Sequence, residues 1–235
     1  MRLHRFIVEQ KICTPQLRVS DKKILHQIKD VLRLKAGAKL IVADGAGNEA
    51  DAVIREQSRS QLVLSVGNIR TRTNVTRREI TLYASVLRRE NFEFLAQKCT
   101  EAGVARIVPI IAERTVKTGL RVERIQKIIK EAAEQSGRAD VPKIENTIMF
   151  SDVIQLVNAR ETALLFDLRG PSIFLAVDNF KNKNKASIFV GPEGGWTDRE
   201  RSLAQKNGFL TAQLGELTLR AETAAIVGTF ILANL

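Results

Sequence analysis

Two rhythms of apolar and polar residues run along this chain. In the first third the apolar runs are short and strand-like. RFIV (5–8) reads as a brief strand, KLIVADGAGNEADAVI (39–54) as two strands about a glycine-containing turn, and QLVLSV (61–66) as a third. Among them, SDKKILHQIKDVLRL (20–34) puts Ile24, Ile28, Val31 and Leu32 on one helical face, behind an N-cap at Ser20 or Asp21. The stretch GNIRTRTNVTRRE (67–79) is polar and basic and has no apolar period, so it marks a boundary. Beyond it, ITLYASV (80–86), RIVPII (106–111), TALLFDL (162–168), ASIFVG (186–191) and TAQLG (211–215) have strand length, and helical patterns lie at 89–102, 121–136, 151–159, 197–207 and 221–234. Strands alternating with helices predict an α/β domain, a parallel sheet with helices on both faces. The chain therefore divides into a small β-rich unit at 1–70, a linker at 71–79 and an α/β domain at 80–235.

Composition leaves that division standing and adds a partner. At 235 residues, 44% apolar and 27% charged, both parts are long enough and apolar enough to bury a core. The net charge is +11, and the excess is uneven: residues 1–75 carry 14 Lys and Arg against 7 Asp and Glu, the remainder 23 against 19. A surplus concentrated in the first unit favours a polyanionic partner, and nucleic acid over an anionic membrane, because no basic amphipathic helix stands at either end. Cys13 and Cys99 are far apart, with no second Cys or His at ligand spacing, so neither a metal site nor a disulfide framework is expected. MRLHRFIVEQK lacks the apolar run of a signal peptide, and AAIVGTFILANL is too short to span a bilayer. The expectation is a reduced, cytoplasmic protein with no membrane partner.

Ligands of open parallel sheets bind beyond the carboxyl ends of the strands, which directs attention to three stretches. IFVGPEGGWTDRE (188–200) is a strand, a glycine-rich turn and a helix start, with capping-box spacing between Thr197 and Glu200. It lacks the Lys-Ser/Thr of a P-loop and the spacing of a dinucleotide fingerprint, which leaves a ligand loop of another kind or a plain turn. Gly191, Gly194 and Gly195 let backbone come close to a flat ligand, and Pro192 stiffens the turn. LGELTLRAETAAIVGTFILANL (214–235) places Gly215, Arg220 and Glu222 before a helix apolar on nearly all sides, to be buried in the core or against another subunit. Glu222 there either has a chemical role or simply favours the helix N-terminus. KCTEAGVARIVPIIAERT with KEAAEQSGRADVP carries Lys98, Glu101, Glu134, Gln135 and Arg138 near helix ends, as surface caps or as the lining of an RNA groove.

Together FVGPEGGWTDRE, LGELTLRAETA, KCTEAGV and EAAEQSGR resemble the RsmE family of 16S ribosomal RNA (uracil-N3)-methyltransferases, of the SPOUT class of S-adenosylmethionine-dependent enzymes. HRFIV, VLRLKAG and DGAGNEADAVI extend the resemblance over essentially the whole chain. It departs from the family pattern at Ala102, where many relatives have leucine, at His26, where a His pair is common, and at Ala50, where an aromatic is usual. The resemblance implies a PUA-like β-barrel that binds RNA, followed by an α/β domain whose C-terminal segment forms a deep trefoil knot. It implies a homodimer and the small ribosomal subunit's 16S RNA as partner. By position the cofactor loops would be Leu165 and Phe166, then Gly191, Pro192, Glu193, Gly194 and Gly195, then Leu214, Gly215, Leu219, Arg220, Ala221 and Thr223.

Methylating uracil N3 needs no metal, but it requires the N3 proton to leave and the resulting anion, spread over O2 and O4, to be stabilised. Arg220 is the candidate for the anion, with Glu193 and Glu222 as candidates for base or alignment. Arg2, Arg5, Lys22, Lys23 and Arg33 are the expected phosphate contacts of the first unit, and Arg138 is expected to bind RNA or reach across the dimer. A non-catalytic RNA-binding protein on the same scaffold is the rival reading, and S-adenosylmethionine binding separates the two.

Overall fold

The structure is a computed structural model that describes residues 3–72, 76–116, 119–157, 162–180 and 183–235. Its contacts divide the chain into two compact units, Met1–Thr73 with Ala133–Val141, and Asn74–Ala132 with Pro142–Leu235.

The first unit is built on strands β1 (Arg5–Ile7), β2 (Gln16–Val19), β3 (Lys39–Ala43), β4 (Asn48–Gln57) and β5 (Leu62–Thr71), in the order β1-β3-β4-β5-β2. Only β1 and β3 run parallel; the other pairs are antiparallel. Alternation along β4 turns Ala50, Ala52 and Ile54 into the core, opposite Val42 and Leu40 of β3 and Leu64 of β5, and leaves Asp51 and Arg55 outside. The turn into β4 is set by Gly45 and Gly47, both at positive φ, and by the Asp44 carboxylate, which accepts from Ala46 N and Asn48 N. Strand β5 continues to Thr71, so residues 67–71, placed by sequence at the boundary, complete a ten-residue strand. They lack an apolar period because this end of the strand is exposed on both faces.

Helix α1 (Lys22–His26) starts at Asp21, whose side chain accepts from Lys23 N and Ile24 N, and passes into a π-helical turn over Gln27–Val31. This winding corrects the expected apolar face. Ile24 and Ile28 are buried, but Val31 is 62% exposed, because a π turn takes more residues than an α turn and rotates the next position outward. Segment 133–141 joins this unit through Val141 N, which donates to Gly45 O, and through Glu134, whose carboxylate accepts from Ile7 N. Periodicity carried no sign of that connection.

The second unit is a parallel sheet of β6 (Glu79–Ser85), β7 (Arg106–Ile111), β8 (Lys143–Ile144), β10 (Thr162–Phe166), β11 (Lys185–Val190) and β12 (Leu210–Ala212), in the order β12-β10-β11-β6-β7-β8, with β9 (Ile148–Met149) also paired to β7. Helices α2 (Arg89–Ala102), α3 (Val122–Ser136), α4 (Phe150–Leu156), the short α5 (Ile173–Ala176), α6 (Asp198–Lys206) and α7 (Ala221–Asn234) connect and cover it. Helix α2 buries Phe92, Leu95, Ala96, Cys99 and Thr100, the stripe its spacing predicts, and ends at Gly103 with φ 104°. Helix α7 packs on α2 and over β6 and β11. It comes so close to β10 that a Cβ at Gly228 would stand 2.3 Å from the Phe166 ring. The opposite face holds an aromatic core in which Tyr83 stacks on Phe189 at 4.3 Å and Phe150 leans on Trp196 at 4.7 Å.

Candidate active site

A cavity of about 510 Å³ opens at the carboxyl ends of β10, β11 and β12 and at the start of α7. Three loops form its walls: Phe166–Arg169 after β10, Gly191–Trp196 after β11, and the run from Gln213 to Ala221 after β12. The middle loop is folded by its tryptophan. Trp196 is 1% exposed and donates its indole N–H to Phe166 O at 3.0 Å, which ties the second loop to the first. The ring folds back over Gly191, where an added Cβ would lie 3.0 Å from the indole, so a side chain there would crowd the tryptophan. Gly195 closes the turn at φ 66°, donating to Pro192 O at 2.8 Å. Immediately afterwards Thr197 caps α6, and Glu200 completes the capping box with one carboxylate oxygen while the other accepts from Glu113 N at 2.9 Å.

The charged groups on the walls are few. Asp167, nearly buried, accepts from Arg201 Nε at 2.5 Å and from Arg169 N at 2.8 Å. Arg169 also pairs with Asp198 at 2.8 Å, and Arg201 does so at 3.0 Å. The hydrogen bond from Arg169, reinforced by Arg201, holds the Asp198 carboxyl below its usual range. Arg220 and Glu193 face the cavity without an ion-pair partner among the described residues. The walls therefore offer backbone groups and apolar carbon to a flat ligand, one self-neutralised ion cluster, and a cation and a carboxylate that are uncommitted among the described residues. Among the described residues no group of three or more His, Cys, Asp or Glu is placed to hold a metal ion, and no helix is long and apolar enough to cross a membrane.

Residues 74–233 match the RNA methyltransferase domain family, and residues 21–66 match the RNA methyltransferase PUA domain. A Synechocystis protein named ribosomal RNA small subunit methyltransferase E is 35% identical over 210 residues, covering 86% of this chain and 68% of its own. The chain belongs to the ribosomal RNA small subunit methyltransferase E family. A Rickettsia conorii member of the same name is 26% identical over 96% of this chain and 93% of its own. The crystal structure of a Neisseria gonorrhoeae family member bound to S-adenosyl methionine superposes with a TM-score of 0.89 at 27% identity, covering 98% of this chain and 97% of that one. A putative methyltransferase from Legionella pneumophila, also solved with the cofactor bound, gives 0.87 at 25% identity over 99% and 97%. As a family member this protein is an RNA methyltransferase. Its parallel α/β unit is the SPOUT-type domain implied by the sequence motifs, and its five-stranded sheet is the PUA-like unit.

Of the positions that family resemblance pointed to, Phe166, Gly191, Pro192, Glu193, Gly194, Gly195, Leu214, Gly215, Leu219, Arg220 and Ala221 line this one cavity. Leu165 does not. The pleat that sends Phe166 toward α7 sends Leu165 to the opposite face, into the aromatic core. Thr223 is exposed, because Ala221 and Ala224, one turn apart, are the α7 residues on the cavity wall. Glu222 is likewise off the wall. It is buried in the first turn of α7 with its Oε2 unpartnered among the described residues, where the helix N-terminus favours its charge.

The cations of the first unit are also rearranged. Arg5 is mostly buried and paired with Glu49, itself 2% exposed, so it is not an open phosphate contact. Arg138 is buried and held by Asp140. Lys22, Lys23 and Arg33 are exposed, Arg33 at φ 52° where the π turn ends, and Arg2 lies outside the described residues. Sequence reasoning missed Asp167, Arg169, Arg201 and Trp196. The signal lay in the charged pair of FDLRG, directly after an apolar run, and in the lone tryptophan of a chain with one.

Proposed function

We propose that this protein methylates N3 of a specific uridine in the 16S RNA of the small ribosomal subunit, using S-adenosylmethionine, as a cytoplasmic homodimer. The observation that carries the reading is the single cavity assembled from three loops at the carboxyl ends of parallel strands, in a chain that superposes almost end to end on a cofactor-bound family member. Its volume and its walls of backbone and apolar carbon suit a nucleoside-sized ligand. Gly191, Gly194, Gly195, Leu214, Gly215 and Leu219 would hold the cofactor, which when bound supplies a methyl group on a sulfonium, open to in-line attack.

The chain's own residues have three tasks. The target base must leave its stack, because N3 lies on the Watson–Crick edge, and the cavity mouth must receive it. Arg220, which lines the cavity at the N-cap of α7 and makes no side-chain cap hydrogen bond, is assigned to meet the charge that develops on uracil O2 or O4 as the N3 proton departs. Glu193, exposed on the middle loop and unpaired among the described residues, is the carboxylate assigned to accept that proton or align the base. Glu222 is given a structural place only.

The remaining parts of the reading rest on particular elements. The C-terminal segment leaves β12 at the sheet edge and returns as α7 across β6 and β11, a path that suits the deep trefoil knot. The outward side of α7 carries Phe230, 60% exposed, beside the partly exposed Ile226, Val227 and Ile231, an apolar row suited to a second subunit. Phosphate contacts are assigned to the first unit, through Lys22, Lys23, Arg33 and Arg72.

Calorimetry with S-adenosylmethionine tests the cofactor assignment, and absence of binding at millimolar cofactor overturns it. Mass-spectrometric mapping of ribosomal RNA from cells lacking the protein tests the target. Arg220→Ala should lower methyl transfer by about a hundredfold or more, the scale of losing one oxyanion donor, while cofactor affinity stays within a few-fold. Equal losses in both would move Arg220 to cofactor binding.

A further inference from the structure

The strap that follows β7, Ala112–Thr115, is tied to both flanks of the middle cavity loop. It is itself a closed turn, with Thr115 N donating to Ala112 O at 3.0 Å and the Thr115 hydroxyl accepting from Ala112 N at 2.9 Å. On one side Glu113 N donates to the buried Glu200 carboxylate, which caps α6 directly after the loop. On the other side Arg114 Nη1 donates to Gly194 O at 2.7 Å. The stem of the same arginine lies along the loop, so that a Cβ on Gly194 would sit 3.3 Å from Arg114 Cβ and 3.4 Å from Cδ. Arg114 has no carboxylate partner among the described residues. An exposed arginine usually samples many rotamers or pairs with an acid. This one is laid against a glycine and spends its charge-assisted hydrogen bond on a backbone carbonyl of the cavity wall.

We infer that Arg114 is a positioning residue for methyl transfer: it fixes the peptide of Gly194, and with it the Gly191–Gly195 loop, in the conformation that receives the cofactor. The inference rests on the cofactor assignment above. It also gives a reason for glycine at 194, which has no positive φ to require one: a side chain there would crowd the arginine stem that lies along the loop.

Two readouts on the full chain test it. In the free protein, hydrogen exchange at the Gly195 amide, held by Pro192 O, should be about tenfold faster in Arg114→Ala, with thermal stability unchanged within error. In calorimetry the same variant should bind S-adenosylmethionine about tenfold more weakly, the scale of one charge-assisted hydrogen bond, while kcat at saturating cofactor stays within about twofold. Arg114→Lys should recover part of the affinity, since an ammonium can still donate to the carbonyl but cannot lie flat along the loop. Unchanged exchange, or unchanged cofactor affinity, overturns the inference. A fall in kcat alone also overturns it, by assigning Arg114 to the RNA instead. If the unaltered protein binds no S-adenosylmethionine, the cofactor assignment fails, and the exchange measurement still decides whether Arg114 holds the loop.

Discussion

Arg78 shows how one residue in a stretch without pattern can hold a fold. It lies in the polar, basic run read by sequence as linker, yet it is 6% exposed. Its Nη1 donates to Leu232 O near the end of α7, its Nη2 to Phe180 O, and its Nε to Lys183 O, all at 2.7–2.8 Å, with the guanidinium over the Phe180 ring. Among the described residues no carboxylate neutralises it. Burial therefore pushes its pKa down, though a guanidinium starts so high that it stays charged. The carbonyls at a helix C-terminus supply the compensating negative potential. Removing the side chain strands three carbonyls at once, so Arg78→Ala should cost on the order of 3 kcal/mol in urea unfolding. Arg78→Lys should lose a good part of that, because an ammonium cannot reach three carbonyls in the plane of a fork. A loss below about 0.5 kcal/mol for the alanine variant would show that these bonds form without stabilising the unit.

At the scale of elements, legibility followed periodicity. Helices α2, α3, α6 and α7 and strands β6, β7 and β11 lie within a residue or so of where the apolar pattern predicts them, because the helices bury a regular stripe and the strands, as in β7 and β11, are buried along almost their whole length. β2, β8, β9 and α5 went unread, since runs of two to four residues are too short to show a period. The π turn after α1 was invisible for another reason: the same residues spell a good α stripe, and only the packing of Ile28 shows the change of winding. The cavity was legible where glycines and an apolar helix start are unusual, and illegible where it depends on pairing across the chain, as with Asp167 and Arg201, 34 positions apart. The sequence of helix α7 is apolar nearly all round, and the residues it buries within one chain are Ala221, Glu222, Ala225, Gly228, Thr229, Leu232 and Ala233. If the outward row covers a second subunit, Phe230→Glu should place a charge in that contact and convert the dimer to monomer in light scattering at micromolar protein. The fold should survive, because Phe230 is 60% exposed within one chain. An unchanged mass would place the subunit contact elsewhere.

For the molecule as a whole, the charge surplus of the first unit was plain from composition, but which cations are available was not. A carboxylate hidden at the end of the sheet decides it. Glu49, 2% exposed, faces three arginines: Arg5, buried against it, Arg72 Nε at 3.2 Å and Arg70 Nη2 at 3.5 Å. Arg70 is further engaged by Asp51, with two parallel hydrogen bonds at 3.0 and 3.1 Å, and that contact raises its pKa. Arg72 contacts only Glu49 through Nε, so the outer edge of its guanidinium is unpaired among the described residues and half-exposed. Buried glutamate thus aims Arg72 at solvent, and exposed aspartate competes for Arg70. If this face grips RNA phosphates, the two acids have opposite consequences. Arg72→Ala should weaken binding of ribosomal RNA fragments and lower the salt dependence by about one phosphate contact. Asp51→Asn should instead strengthen binding, by about threefold or more, because it frees the Arg70 fork as well as removing a negative charge. Glu56→Gln, which removes an exposed charge from the same strand at a residue with no ion pair among the described residues, isolates the general electrostatic part. An affinity gain at Asp51 no larger than at Glu56, with no loss at Arg72, would show that RNA follows net charge alone and that the Glu49 cluster serves only to close the sheet.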